Sequence, residues 1–419
     1  MTASGPAAAH GPGHAAYPAL DGLRALAVFA VVTTHCAFAT GRYERGGGSA
    51  LLARLDVGVA IFFVLSGFLL VRPWLRAALR DGPAPSIRTY SIRRVARIMP
   101  AYLLAVAMAL LLLEENAGAT VWDWLRHLTL VQIYGPGWLR EGLTQTWSLS
   151  TEVSFYVLLP VIGAAMMHVT RGRWRPGLLL GLLSLAALVP IPWYLFLDRT
   201  SADAFLSGGF WLPAFAGWFA GGMALAVVRV HLDRVVPPAA SRWWAAEELG
   251  RHPFTCWALA AVAFAVAATP VAGPWSFDVP PGVGQAVTKQ TLYLVVALAL
   301  VWPAVFGRSP VTAAVLGNPV ARYLGDISYG VFLYHLVVLA GVMNLLDYEL
   351  WTGKLLQVLV LTLVGTGLIA AVSFRFIERP AIDWAHRVPT RTAAPTGPKA
   401  PSEPGRPPRR PAPRGPSPG

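Results

Sequence analysis

Ionisable side chains inside long apolar runs are costly to keep there, so each one marks a place where chemistry could be done. In the stretch DGLRALAVFAVVTTHC, Arg24 and His35 lie eleven positions apart. Eleven helical steps return to within about 20° of the same face and separate the two by about 16 Å. A neutral imidazole at that depth suits general-base work on a hydroxyl, a role worth about 10²–10⁴ in rate. A hydrogen-bonded packing histidine is the plainer alternative. GDISYGVFLYHLVV brings a second histidine, His335, nine residues past Asp326. Two histidines at similar depth on different helices could share a cavity. They could also form a metal pair, but no acid or third histidine stands at ligand spacing, so no metal site is expected.

Two further groups complete the set. Glu152 follows Trp147 by five residues in WSLSTEVSFYVLLP. A carboxylate one turn inside an apolar run needs a partner or a watery cavity; it is either a snorkelling interfacial acid or a group that holds or activates a polar acceptor. In SIRRVARIMPAY, Arg94 and Arg97 are three apart, on one helix face. Paired guanidinium groups grip phosphates through charge-assisted, often bidentate contacts. No Walker-type glycine loop accompanies them, which argues against a nucleoside triphosphatase.

The elements that must position these residues are membrane helices. Of 419 residues, 55% are hydrophobic and 13% charged, with 16 Trp and a mean hydropathy of +0.53. A soluble domain carries about 25% charge. Apolar runs near 22–40, 56–74, 100–113, 147–168, 177–197, 207–228, 254–272, 290–307, 327–346 and 355–374 imply about ten spans. The third is short as drawn and is expected to begin before Pro100, a residue tolerated near a helix start. Between the second and third runs Arg72, Arg76, Arg80, Arg88, Arg93, Arg94 and Arg97 face the single acid Asp81. Such a loop is expected on the cytoplasmic side. Arg171, Arg173 and Arg175 after the fourth span, and Arg229, Arg234, Arg242 and Arg251 after the sixth, agree with it. The fold class is thus an all-α polytopic membrane bundle with both termini cytoplasmic. Residues 1–20 lack a signal peptide's basic n-region, so the first run is expected to stay as a span.

Residues 1–16 read as a flexible segment, 17–386 as the membrane domain, and 387–419 as a disordered cytoplasmic tail with eleven prolines, seven bases and one acid. That tail carries +6 of the net charge of +13, and orientation explains most of the rest, which removes the main support for a nucleic-acid partner. Residues 120–146 suit a short interfacial helix and loop on the external face. Cys36 and Cys256 both lie in apolar segments and indicate no disulfide framework.

With these residues assembled, the chain resembles the acyltransferase-3 family of integral membrane acyltransferases over about residues 17–385. The likeness rests on YPALDGLRALAVFAVVTTHC, DVGVAIFFVLSGFLL, SIRRVARIMPAYLL, TWSLSTEVSFYVLLP, ISYGVFLYH and FIERPA in order. Arg24 and His35 match the family's Arg-x10-His pattern, and Arg94 and Arg97 its Arg-x-x-Arg pattern. The resemblance implies a ten-helix membrane domain that passes an acyl group, often acetyl, from a cytoplasmic acyl-CoA to a hydroxyl of a sugar-bearing acceptor. It implies that His35 is essential to transfer, that Arg24, Arg94 and Arg97 sit around the donor path, and that Glu152 and His335 occupy recurrent polar positions; His35 would act either as general base for direct attack by the acceptor or as a nucleophile that relays the acyl group covalently. Acyl-CoA enters as a substrate, with no permanently bound cofactor. Polysaccharide, lipid-linked glycan, peptidoglycan and glycosylated metabolites all offer a suitable hydroxyl in a bacterial cell envelope. Some members carry an added esterase-like domain; here the complete reaction is expected within the membrane domain. The rival from another class is a transporter or flippase whose buried His and Glu relay protons, with the arginines setting topology alone.

Overall fold

The computed structural model describes residues 17–43, 45–234, 243–275 and 280–388. The expected flexible segment 1–16 and all but the first two residues of the tail 387–419 lie outside the described residues. Every regular element among the described residues is helical. Nine stretches of them are long and apolar enough to cross a bilayer, or ten if one bent pair is a single span, so the protein is a multi-pass membrane protein.

The helices that carry the argument are α1 (Pro18–Ala39), α2 (Gly58–Leu79), α3 (Ile87–Leu112), α4 (Val121–Leu128), α5 (Trp147–Val169), α6 (Pro176–Ala187), α7 (Pro190–Leu197), α8 (Ala216–Arg234), α9 (Trp244–Gly250), α10 (Pro253–Ala267), α11 (Val283–Phe306), α12 (Pro319–Leu345), α13 (Leu355–Ser373) and α14 (Arg379–Arg387). The seventh expected span, 254–272, differs most from the sequence pattern. α9 and α10 reach spanning length only together, and they meet at 81°. The cause is local: His252, ahead of Pro253, has φ −109° and ψ 69°, outside the α region from which a following proline excludes it.

The third span also differs from its apolar run. α3 starts at Ile87, where Ser86 Oγ caps the helix by accepting from Thr89 N at 3.3 Å. Arg93, Arg94 and Arg97 therefore ride on the spanning helix, and Pro100 stands in its interior rather than near its start. A membrane helix tolerates such a proline because neighbouring groups re-satisfy the freed carbonyl.

Close backbone approach holds the centre together, since apolar area gives helices little drive to associate in lipid and packing by small residues does. α2 and α8 touch at two glycines. A Cβ on Gly67 would lie 2.3 Å from Phe219 O, and one on Gly222 would lie 2.0 Å from Val64 O. α1 and α12 meet similarly at Gly325, where a Cβ would lie 2.2 Å from Asp21 O. Outward faces such as Val157 and Val161 on α5, and Val364 and Leu368 on α13, are exposed and apolar, as lipid contact requires.

The 120–146 segment forms α4, a loop and a short 3-10 turn, Thr144–Thr146. Thr120 and Asp123 make a reciprocal capping box at its start. Asp123 also accepts from Arg140 at 2.6 Å, and these donors, Arg140 foremost, hold its carboxyl well below the usual carboxylate range. Burial lowers the neighbouring His127 below the ordinary histidine range.

Candidate active site

A chamber of about 1270 Å³ opens among α1, α2, α3, α5, α12 and α14. Seven arginines line it (Arg24, Arg72, Arg76, Arg93, Arg94, Arg97 and Arg379), against four carboxylates (Asp21, Glu152, Asp326 and Asp383). That imbalance makes it an anion-attracting space. Helical spacing explains the convergence. On α3, Arg94 and Arg97 lie one turn apart; Tyr17, at the N-cap of α1, and Asp21 and Arg24 within it fall at intervals of four and three.

The arginines are held in different ways. Arg24 pairs with Asp21 at 2.9 Å, which fixes it against α1. Arg72 lies over the rings of Tyr17 at 4.7 Å and Phe68 at 5.2 Å, and its Nε has no hydrogen-bond partner. Arg94 stands 6.0 Å from the ring centroid of Tyr156. Neither Arg94 nor Arg97 has a carboxylate within ion-pair distance among the described residues, and the buried Nε of Arg93 is also unpartnered. Buried guanidinium donors left without a partner at Arg72 and Arg93, beside Arg94 and Arg97 with no carboxylate in ion-pair distance, suit a site that receives an anion.

Glu152 lines this same chamber. From the sequence alone it belongs at the outer end of its span; in the structure it shares a space with the arginines. One of its oxygens accepts from Tyr156 OH at 2.5 Å and from Ser66 Oγ. Tyr156 OH is the hydroxyl one turn further along α5, so i, i+4 spacing could have found it. Ser66 comes from α2, and nothing local in the sequence links it to Glu152. Asp21 was within reach by the same rule, three residues before Arg24.

His35 and His335 meet, but they do not line the chamber. His35 Nδ1 lies 3.1 Å from His335 Nε2, with ring centroids 5.0 Å apart. His335 is wholly buried, and its Nδ1 is 2.8 Å from the Phe332 carbonyl. A carbonyl can only accept, so His335 Nδ1 carries hydrogen and Nε2 of the neutral ring is an acceptor. His35 Nδ1 must then donate to it, which leaves the lone pair of His35 on Nε2. The hydrogen bond between the rings thus places hydrogen on Nδ1 of neutral His35 and its lone pair on Nε2.

Two carboxylates outside the expected set lie near these groups. Asp56 acts electrostatically on His35, and it is itself held by Lys289 at 2.7 Å and by the hydroxyl of Tyr293. Glu378, in the FIERPA stretch, is buried on a π-helical turn, Phe374–Glu378, and accepts from Ser373 Oγ at 3.2 Å. Asp56 lies at the edge of an apolar run, where a carboxylate looks interfacial; only the fold brings it to His35. Among the described residues no three His, Cys, Asp or Glu side chains converge as metal ligands.

Comparison with known proteins extends this geometry. Nodulation protein 10 of Rhizobium leguminosarum is 25% identical over 78% of this chain and 82% of its own length. The acyltransferase MdmB of Streptomyces mycarofaciens is 36% identical, over 34% of this chain and 38% of its own. The peptidoglycan O-acetyltransferase OatA of Listeria monocytogenes is 24% identical over 87% of this chain, and the match spans 55% of OatA. No solved structure matches the chain. The acyltransferase domain of the acyltransferase-3 family matches residues 17–374, and the chain belongs to that family.

Proposed function

We propose that the protein transfers an acyl group, acetyl in the first instance, from cytoplasmic acyl-CoA to a hydroxyl of a sugar-bearing acceptor. The observation that carries this reading is the pairing of an arginine-lined chamber with a histidine whose Nε2 lone pair is kept available. Arg72, Arg76, Arg80 and Arg88 cluster at the chamber's end of the bundle, which by the positive-inside rule faces the cytoplasm, where CoA thioesters are made. Arg94 and Arg97 grip the donor's phosphates, with Arg24 beside them. The pantetheine arm runs toward His35, a path of about 16 Å along α1 from Arg24.

The transfer step balances without another reactant. His35 Nε2 takes the proton of the acceptor hydroxyl as the oxygen attacks the thioester carbonyl. The carbon–sulfur bond breaks, the CoA thiolate leaves, and the proton passes from His35 to sulfur. The products are an ester and CoA. His335 acts as a positioning residue, keeping hydrogen on Nδ1 of His35. OatA is named for acetylation of peptidoglycan, which supports a glycan of the cell envelope as the acceptor class.

The test is to incubate the purified protein in lipid nanodiscs with acetyl-labelled CoA and bacterial envelope extract. The expected result is label in an ester on a carbohydrate, identified by mass spectrometry. Movement of substrate across vesicles with no labelled ester formed would instead assign the chain to transport.

A further inference from the structure

Arg72 is a buried cation on the chamber wall with no carboxylate to answer it. It lies on α2 at 6% exposure, and no Asp or Glu stands within ion-pair distance of it among the described residues. Its guanidinium faces the rings of Tyr17 and Phe68, and one terminal nitrogen donates to Tyr17 OH at 3.4 Å. Asp233 of α8 acts on it electrostatically, but Arg229 acts with the opposite sign and holds Asp233 at 2.7 Å. Arg76, one turn further along α2, adds a second cation to the same wall. A charge kept out of water without a partner is costly, so this wall favours the arrival of an anion.

Depth separates this cation from Arg94 and Arg97. Tyr17, which Arg72 touches, stands at the N-cap of α1, seven residues before Arg24, or about 10 Å of helix rise. Ser66 shares Glu152 with Tyr156, whose ring faces Arg94, and it lies six residues before Arg72 on α2, or about 9 Å of rise. By both measures Arg72 stands nearer the arginine-rich end of the bundle and farther from His35. Building on the acyl-CoA reading above, we propose that Arg72, with Arg76 beside it, binds the 3′-phosphate of the donor's ribose, while Arg24, Arg94 and Arg97 hold the diphosphate. The order follows from the covalent structure of CoA. The pantetheine arm leaves from one end of the diphosphate, and the ribose that carries the 3′-phosphate is joined to the other. A donor whose arm runs inward from Arg94 and Arg97 toward His35 therefore turns its 3′-phosphate outward, toward Arg72. The rings of Tyr17 and Phe68 already fix the guanidinium, so it loses little freedom when the phosphate binds. Arg72 thereby distinguishes CoA from donors that carry the same diphosphate and arm without the ribose phosphate.

The test uses the full chain in nanodiscs and compares, by calorimetry, binding of CoA with that of dephospho-CoA, which lacks only the 3′-phosphate. Wild-type protein should bind CoA more tightly by about tenfold to a hundredfold, the worth of a hydrogen bond to a charged group. Arg72→Met and Arg72→Gln should lower CoA affinity to that of dephospho-CoA and leave dephospho-CoA affinity near wild type, which a general loosening of the site would not do. Arg97→Ala should weaken both ligands and keep their ratio. Replacing a buried charge by an apolar side chain of similar volume is often neutral or stabilising, and Gln keeps a polar head, so a folding loss in one variant leaves the other informative. Equal wild-type affinity for the two ligands would overturn the assignment, as would a folded Arg72 variant that keeps the wild-type ratio or weakens both ligands equally. Absence of binding of either ligand by the wild type would overturn the donor reading on which the assignment rests.

Discussion

His35 Nδ1 and His335 Nε2 lie 3.1 Å apart, and the direction of their hydrogen bond is set by a third atom, the Phe332 carbonyl, 2.8 Å from His335 Nδ1. That short chain favours hydrogen on Nδ1 of His35 and leaves the lone pair on Nε2. His335→Ala should therefore reduce acyl transfer by about 10²–10⁴, the worth of a correctly placed general base. His335→Gln, which can offer an amide oxygen to His35 Nδ1, should restore part of the loss. Initial rates of labelled ester formation, with binding of CoA measured alongside, check this. Equal loss in Ala and Gln variants would point to packing rather than tautomer control.

Arg97 and Arg94 have no carboxylate within ion-pair distance among the described residues, which leaves their donors open to an anion. Charge-assisted hydrogen bonds contribute about 1.5–3 kcal/mol each, so Arg97→Ala should weaken CoA binding roughly tenfold to a hundredfold. Arg97→Lys should recover little, because an ammonium cannot reproduce a planar two-pronged contact. Calorimetry with CoA is the check, and the difference between wild type and variant should shrink as ionic strength rises.

Glu152 is the acceptor for two hydroxyls, those of Tyr156 and Ser66. Glu152→Ala leaves both without that partner in a partly buried site, which costs about 1–3 kcal/mol for each unsatisfied group. The variant should unfold at lower temperature, and Glu152→Gln, which keeps one accepting oxygen, should lose less. Thermal unfolding in detergent followed by tryptophan fluorescence distinguishes them. Identical melting of wild type and Glu152→Ala would show that these hydrogen bonds contribute nothing to stability.

Asp123 supplies a pH-dependent term. Its carboxyl is held low by Arg140 and Thr120, so the folded state favours the ionised form more than the unfolded chain does. The sign follows from linkage: stabilisation is fully present above the unfolded pKa of about 3.9 and is lost as pH falls through the lower folded value. The stability difference between wild type and Asp123→Asn should be constant from neutral pH to about 5 and shrink progressively below about 4. Melting temperatures across pH measure it. A difference that grows as the pH drops would contradict the pairing.

Much of the architecture is legible in the sequence, because an apolar run of spanning length has few alternatives. Nine of the ten expected spans correspond to single spanning stretches, and the tenth resolves into α9 and α10, bent where Pro253 excludes helix at His252. Local spacing also carries Arg94 with Arg97 onto one face. The grouping of residues from different helices is what spacing cannot reveal. His35 and His335 are three hundred positions apart, and their contact follows from the packing of α1 along α12. Glu152 meets Ser66 because α2 packs on α5, and Phe332 lines the chamber while its ring lies 6.2 Å from that of His335. Each of these is set by helix rotation and packing in three dimensions, for which the one-dimensional pattern holds no signal. Asp56 is the clearest omission: at the edge of a run it reads as a boundary acid, while in the fold it acts on His35.

The most direct measurement compares wild type and His35→Ala in one preparation, following CoA binding and labelled acetyl transfer together. If His35 Nε2 is the base, the variant should bind CoA as wild type does while transfer falls by about 10²–10⁴. Transfer at the wild-type rate by a folded, CoA-binding His35→Ala protein would contradict the assignment of His35 as the reacting base.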